Sequence, residues 1–375
     1  MKLKKVHEGK IKIFAPEGRI YDTEVFYNPE GELTRDLSVS AIQVFQKDFK
    51  NKITICDALT ATGIRGLRYA KEVSGIKKVV LNDKNPSAVK LIRKNVKENK
   101  IKKIEIKKED ANILLRNNVF IAIDIDPFGS PNIFMDSAAR SVYHKGFLAV
   151  TATDQSALCG TYPESCFRKY GIKPIKTEFY NELGIRVLVS FIILTLARYD
   201  RAFIPLLSFS TRQYFRVFGK IEHAGEISKL LNEFGYVNYC DFCCERTLGK
   251  IEVYHEINGK NHIFRNCGLI YLGKINDKKF CKKVLADIKK RNFRLKKEEE
   301  KLLKLLIEEA DMPAFYYDLH KIAKKYKIEI PKTDDLIIKL RKKGFKASRT
   351  HLSSTAIKTN ASLKELLLFS SKPRL

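Results

Sequence analysis

From Lys52 onward, short apolar runs alternate with stretches whose apolar residues recur at helical spacing. ITICDAL (53–59) predicts a strand and GIRGLRYAKEV (63–73) a helix. KKVVLND (77–83) predicts a second strand, PSAVKLIRKNVKENK (86–100) a helix, and IEIKKED (104–110) a third strand. After a brief helix, FIAIDID (120–126) gives a fourth strand. A helix near Asn132 to Tyr143 and the strand GFLAVTAT (146–153) follow. Strand and helix repeating at this interval predict a parallel sheet with helices on both faces. The expected class is therefore α/β, a doubly wound Rossmann-like sheet.

The flanks read differently. The first 50 residues form an extension with short strands, a turn at Asn28-Pro29-Glu30-Gly31 and a helix from Leu37 towards Phe49. Beyond the sheet, Asn181 to Ala197 predicts a helix and Arg201 to Tyr214 resumes strand character. Short strands surround the cysteines between Gly219 and Cys281, and a Lys/Glu-rich helix is expected from Lys282 to Glu309. From Pro313 to Lys358, short helices alternate with the basic turn RKKGFKASRTH (341–351), which suits a winged-helix-like module. The tail SSKPRL is expected to fray. The predicted division is an extension (1–50), a catalytic domain (51–218) and a smaller α+β C-terminal domain (219–375).

Charge narrows the partners. Lys and Arg number 71 against 43 Asp and Glu, a formal net charge of +28, which favours a polyanion through steering and counterion release. A Lys-rich proteome is the bland alternative. The N-terminus lacks the apolar core of a signal peptide. Ile185 to Leu196, the most apolar stretch, is too short to span a bilayer and is interrupted by Arg186. A cytoplasmic enzyme with no membrane partner and no obligate protein partner is expected. Eight cysteines spread over 375 residues do not make a secreted disulfide scaffold.

The first strand leads into Asp57-Ala-Leu-Thr-Ala-Thr-Gly63-Ile-Arg65-Gly66, where such a sheet binds a nucleotide-like ligand. It is neither the G-x-G-x-x-G dinucleotide fingerprint nor a P-loop, which disfavours a dehydrogenase and an ATPase. Asp83 closes the second strand, where its carboxylate suits a ribose diol. Asp110 closes the third, where it suits an adenine amine while the Ala111 amide reaches a ring nitrogen. Three acidic strand ends describe a neutral or cationic nucleoside, and S-adenosylmethionine, a sulfonium without phosphate, fits. The alternative is that each Asp only caps the helix that follows.

The fourth strand ends in Asp124-Ile-Asp126-Pro127-Phe128-Gly129-Ser130-Pro131. Alternation places Asp124 and Asp126 on one face, with Asp126 at the mouth. Pro127 stiffens a corner from which a carboxylate and an aromatic ring project. That pair suits a planar base bearing an amine, with Phe128 stacking on the ring and Asp126 accepting from N–H. A non-catalytic RNA-binding protein would leave this acid–aromatic corner without a use. Adenine- and glutamine-amine methyltransferases commonly present N/D-P-P-Y instead.

Taken together, the chain resembles the archaeal tRNA (guanine(26)-N2)-dimethyltransferase family. The shared stretches are NPEGELTRDLS (28–38), DALTATGIRGLR (57–68), NDKNPSA (82–88), DIDPFGSP (124–131), TATDQSALCGTYP (151–163), YNELGIR (180–186) and ASRTHLSSTAIKTNA (347–361). They span nearly the whole chain. The resemblance implies transfer of one or two methyl groups from S-adenosyl-L-methionine to guanine N2 in tRNA. By that resemblance Arg35, Arg65, Asp83, Asp110 and Ala111 contact the cofactor, with Arg35 on its carboxylate. Asp126, Pro127 and Phe128 form the catalytic corner, and Tyr27 flanks the target base. Arg349, Thr350 and His351 read as a basic turn suited to phosphates, with Lys358 adding charge, and as a capping loop otherwise. Glu182 and Arg186, four apart on one helix, are expected to pair with each other. The alternative substrate is guanine N2 at another tRNA position or in rRNA.

The pattern breaks at the cysteines. Many members of that family carry two C-x-x-C pairs in the second domain, consistent with zinc. Here Cys240-Asp-Phe-Cys243-Cys244 supplies one pair, and only Cys267, His255 and His262 stand nearby. Cys240, Cys243, His262 and Cys267 are the candidate ligand set, with buried, unliganded cysteines as the alternative. Zinc is therefore not taken as a firm cofactor.

Overall fold

The computed structural model describes residues 2–18, 22–211, 214–257 and 259–369, so the tail expected to fray lies outside the described residues. A hairpin of β1 (Leu3–Glu8) and β2 (Ile11–Pro16) precedes α1 (Glu32–Phe49). The alternating unit follows: β3 (Ile53–Asp57), α2 (Ile64–Glu72), β4 (Ile76–Asn82), α3 (Pro86–Asn99), β5 (Ile104–Lys107), α4 (Ala111–Asn117), β6 (Phe120–Ile125), α5 (Asn132–Ser141) and β7 (Val142–Ala152). Next come α6 (Gln155–Leu158), α7 (Pro163–Tyr170), α8 (Tyr180–Ala197) and the strands β8 (Ala202–Thr211) and β9 (Tyr214–Glu222).

These strands form one seven-stranded sheet in the order β5-β4-β3-β6-β7-β9-β8. The expected parallel pairing holds from β5 to β7, whereas β9 runs antiparallel to β7 and β8 antiparallel to β9. The strand character seen from 201 to 214 is thus the first arm of a hairpin. Its second arm continues past the expected boundary at 218/219 to Glu222.

The remainder is α9 (Ile227–Leu231), β10 (Phe234–Tyr239), β11 (Arg246–Gly249), β12 (Tyr254–Ile257), β13 (Lys260–Ile263), β14 (Arg265–Tyr271), α10 (Lys278–Lys290) and α11 (Lys296–Glu309). It ends with β15 (Tyr317–Asp318), α12 (Leu319–Tyr326), α13 (Thr333–Lys342), β16 (Ala347–Arg349), β17 (Ala356–Thr359) and α14 (Leu363–Leu367). The single helix expected over 282–309 is two helices that pack against each other. The break at 291–295 buries Phe293, which an uninterrupted helix would carry elsewhere.

The first helix starts at Glu32, five residues before the expected Leu37. Thr34, Arg35 and Asp36 of its opening turn are polar yet buried, Arg35 against Glu8 and Asp36 against Arg68 of other elements. Apolar clusters fill both sheet faces. On one, Ile123, Leu148 and Val150 meet α8 and the C-terminal residues Phe315, Tyr316 and Leu340. On the other, Ile55, Val79 and Phe218 meet Leu37 and Phe45 of α1 and Phe280, Val284 and Leu303 of the α10–α11 pair. The C-terminal third therefore covers both faces rather than standing apart. By length and composition α8 is able to cross a membrane, but 72% of it is buried in this core.

Candidate active site

At the carboxyl end of the sheet, where β3 lies between β4 and β6, a cavity of about 490 Å3 opens. This is the switch point at which doubly wound sheets bind ligands. Asp57 ends β3, and its Oδ2 accepts from the Gly66 amide at 2.9 Å and from the Thr60 hydroxyl at 2.5 Å. Burial and the nearby Asp124 raise its pKa to about 7. Gly66 is required by close approach, since a Cβ there would stand 2.1 Å from Leu81 Cδ2. Gly63 turns the chain with φ of 82°.

Asp83 lines the cavity, with Oδ2 accepting from the Ala61 amide and Oδ1 from the Asn85 amide, both at 2.9 Å. Asp110 behaves differently. It is exposed and caps α4 by accepting from the Asn112 amide at 2.8 Å, and neither it nor Ala111 is on the cavity wall. Arg35 and Arg65 both reach that wall. Arg35 is gripped by Glu8 through Nε (2.7 Å) and Nη2 (2.6 Å), with Nη1 donating to the Asn28 carbonyl at 3.1 Å. Glu8 stays ionised: burial raises its pKa, but Arg35 and Arg68 outweigh that and hold it low.

Asp126 and Arg65 form an ion pair through Oδ2 and Nη2. Arg65 Nη1 donates to Ser38 Oγ at 3.0 Å. Beneath them Asp124, wholly buried, accepts from Arg216 at 2.6 and 2.8 Å and from the Tyr69 hydroxyl. Sequence reasoning left Asp124 unpartnered and overlooked Glu8, Ser38 and Arg216. The readable signal was a lone arginine inside the apolar run YFRVFG (214–219), since a charge there needs a buried counter-charge.

Pro127 is buried and Phe128 is 70% exposed. Gly129 (φ 92°) turns the loop, and its amide and carbonyl both bond Thr153, at 2.7 Å to the hydroxyl and 3.0 Å from the amide. Ser130 donates to the Tyr170 hydroxyl at 2.7 Å, which donates to Asp154 at 2.8 Å. The corner is therefore braced from the end of β7. Phe26 stands beside Phe128, with ring centroids 6.0 Å apart, and Tyr27 also lines the cavity. Tyr27 is buried beneath the Arg35 guanidinium.

A family model of N2,N2-dimethylguanosine tRNA methyltransferases matches residues 5–369. The chain belongs to this family. It is 41% identical over 369 residues to the tRNA (guanine(26)-N(2))-dimethyltransferase of Methanosphaera stadtmanae, covering 96% of this chain and 95% of that one. It is 38% identical to the namesake from Methanothermobacter thermautotrophicus, covering 96% and 97%. The structure of Trm1 from Pyrococcus horikoshii with S-adenosyl-L-methionine superposes with a TM-score of 0.87 at 35% identity, covering 99% and 100%.

Two other motifs of this dimethylguanosine methyltransferase family lie away from the cavity. Thr350 and the side chain of His351, expected on a phosphate-facing turn, are buried and bonded to Glu309, while His351 Nε2 accepts from the Ser210 amide at 3.2 Å. Arg349 is partly exposed and pairs with Asp334 at 2.8 Å. Lys358, expected to add surface charge, is buried on Glu182 at 2.9 Å. Glu182 and Arg186 do pair, at 2.9 Å, and Arg186 also donates to the Tyr271 and Gly273 carbonyls. These residues join the C-terminal elements to α8 and β8.

Among the described residues, the cysteine region holds one group able to ligate a metal: Cys240, Cys243, His255 and His262, whose donor atoms lie within 4.8 Å of one another. Cys267, expected as a ligand, is not among them. It is buried in the main core on β14, opposite Val237, while Cys240 and Cys243 form a separate cluster with Phe264. His255 stands in its place because the β12–β13 register sets His255 opposite His262.

Proposed function

We infer that the protein transfers one or two methyl groups from S-adenosyl-L-methionine to the exocyclic N2 of guanine 26 in tRNA, the reaction named for its relatives. The observation that carries this reading is the meeting of Arg35, Asp83 and the Asp126-Pro127-Phe128 corner on one cavity at the switch point. The Pyrococcus horikoshii protein, similar over its whole length, was solved with S-adenosyl-L-methionine.

The residues present fit that cofactor. Asp83 offers a carboxylate for a ribose diol, and Arg35 and Arg65 offer cationic edges near a carboxylate's place. Asp110 and Ala111, beyond the cavity wall, enter only through the family resemblance, at the adenine end. When bound, the cofactor supplies an electrophilic methyl group. Asp126 accepts a hydrogen bond from the guanine N–H, aligns a lone pair otherwise delocalised into the ring, and is placed to take up the proton. Pro127 holds the corner rigid, and the exposed Phe128 ring stacks on the base.

The division into an extension, a catalytic domain and a tRNA-gripping C-terminal domain is kept, with β9 assigned whole to the catalytic sheet. Within the last, the order α11-β15-α12-α13-β16-β17 and the sheet order β15-β17-β16 support the winged-helix reading. Two thiols and two imidazoles on short hairpins fit a structural zinc, with Cys240, Cys243, His255 and His262 as its ligands. The compartment is the one that holds tRNA, read as the cytoplasm.

The test is mass-spectrometric nucleoside mapping of unmodified tRNA transcripts incubated with the protein and labelled S-adenosylmethionine. Label in N2-methylated guanosine at position 26 is expected. Label on another nucleotide would overturn the substrate assignment while keeping the chemistry.

A further inference from the structure

We infer that Arg65 is a positioning residue for the Asp126 carboxylate, and that Arg216 sets Arg65 in turn through Ser38 and Asp124. This rests on the catalytic reading of Asp126. Asp126 follows the last residue of β6, and Pro127 provides no amide to anchor it. Among the described residues, its one hydrogen bond comes from Arg65 Nη2 to Oδ2. A partly exposed carboxylate on a strand end would otherwise sample several rotamers. Holding Oδ2 leaves Oδ1 for the substrate amine.

Arg65 is itself fixed. Its three nitrogens are each directed at a protein oxygen: Nη2 at Asp126, Nη1 at Ser38 Oγ (3.0 Å) and Nε at Asp124 Oδ2 (3.9 Å). The Ser38 hydroxyl donates to the Thr34 carbonyl at 2.6 Å and accepts from both Arg65 and Arg216, the latter at 3.1 Å. That uses its whole hydrogen-bonding capacity, so it cannot turn without stranding a buried donor. Arg216 is wholly buried and holds Asp124 with both terminal nitrogens, with Nη1 also on Thr151 at 2.7 Å. A planar, permanently charged fork suits each of these junctions in a way an ammonium would not. The path from β9 through α1 and β6 to α2 thus ends on the reacting carboxylate, 90 positions before Arg216 (216 − 126).

The same cluster sets the charge around Asp126. Asp57, Asp124 and Asp126 all act on Arg65, keeping its guanidinium protonated although burial opposes it. Arg65 thus supplies one cation shared between Asp126 and the buried Asp124.

The experiment compares full-length Arg65→Met, Arg65→Lys, Ser38→Ala and Asp126→Asn in single-turnover methyl transfer to tRNA, with cofactor affinity measured by calorimetry. Arg216 is too deeply buried in an ion pair for its own variant to be the main test, so Ser38→Ala probes that arm. At saturating cofactor and tRNA, Arg65→Met is expected to lose about 10- to 100-fold in rate, the cost of a misplaced reacting group. Arg65→Lys should recover part of that loss; Ser38→Ala should lose less, with its own cofactor affinity unchanged. A rate for Arg65→Met that returns to wild type at saturating cofactor would make Arg65 a cofactor ligand only and overturn the proposal. A wild-type rate for Ser38→Ala would remove the Arg216 arm. Wild-type activity in Asp126→Asn would overturn the catalytic reading itself, and this inference with it; an inactive Asp126→Asn beside an unaffected Arg65→Met would overturn this inference alone.

Discussion

Lys358, on β17, meets Glu182, on α8, at 2.9 Å with both side chains almost fully buried. Glu182 gathers Lys358, Arg186 and the Phe315 amide on one oxygen. Burial alone would raise its pKa, but Lys358 and Arg186 prevail and hold it at about 2. The carboxylate is therefore an anchor between the catalytic sheet and the C-terminal elements, and it stays charged through the neutral range.

Removing Lys358 takes from the buried Glu182 carboxylate one of its two cationic partners. Lys358→Met is expected to destabilise the protein by about 1.5–3 kcal/mol, the worth of a hydrogen bond to a charged group, read from urea unfolding of wild type and variant. Glu182→Gln should cost more than Lys358→Met, because it leaves both Lys358 and Arg186 buried without their counter-charge. Equal stabilities for wild type and Lys358→Met would show that the contact is not an anchor.

At the corner itself, the two projecting groups should fail in different ways. Asp126→Ala is expected to retain most tRNA affinity while methyl transfer falls by about 10²–10⁴-fold, the range for a lost acid–base group. Phe128→Ala should weaken productive binding by about 1–3 kcal/mol, the worth of one base–aromatic stack. Single-turnover rates against tRNA concentration separate the two: a lowered plateau for Asp126→Ala, a displaced midpoint for Phe128→Ala.

What the sequence disclosed follows from how local each signal is. The β3-to-β7 alternation was readable because parallel strands buried on both faces are apolar throughout, and the Asp57, Asp83 and Asp126 strand ends followed from it. Polar residues with distant partners were misread. Arg35 and Asp36 hid the first turn of α1, because Glu8 and Arg68 lie in other elements. The SRTH stretch looked like a surface turn, because Glu309 and Ser210 are about 41 and 141 residues away. Phe26 beside Phe128 had no signal in the sequence, since neither periodicity nor charge marks an aromatic in an irregular segment.

Glu299 carries a pH dependence of its own. It is fully buried, and burial together with the charge of the neighbouring Asp36 raises its pKa from 4.5 to about 10. A carboxyl whose folded pKa is raised favours folding fully below its unfolded value, and that contribution falls as pH climbs towards 10. Glu299→Gln keeps the shape and removes the titration. Its melting temperature should match wild type near pH 4.5 and exceed it by a growing margin towards pH 9, read by scanning calorimetry across that range. A margin that stays constant with pH would mean that Glu299 does not titrate in the folded protein.

The four-ligand group makes a prediction that discriminates between two cysteines close in sequence. Cys243 Sγ lies 3.5 Å from His255 Nε2, and Cys240 and His262 complete the cluster; Cys267 packs instead in the apolar core. Purified protein is expected to carry about one zinc per chain, the stoichiometry of a four-ligand structural site, by plasma mass spectrometry. His255→Ala and Cys243→Ser should lose most of it, whereas Cys267→Ala should retain it. Chelation should lower the melting temperature of wild type and of Cys267→Ala but leave His255→Ala where it stands, because metal bound only by the folded state contributes to folding free energy. Zinc lost from Cys267→Ala and kept in His255→Ala would return the site to the ligand set expected from sequence.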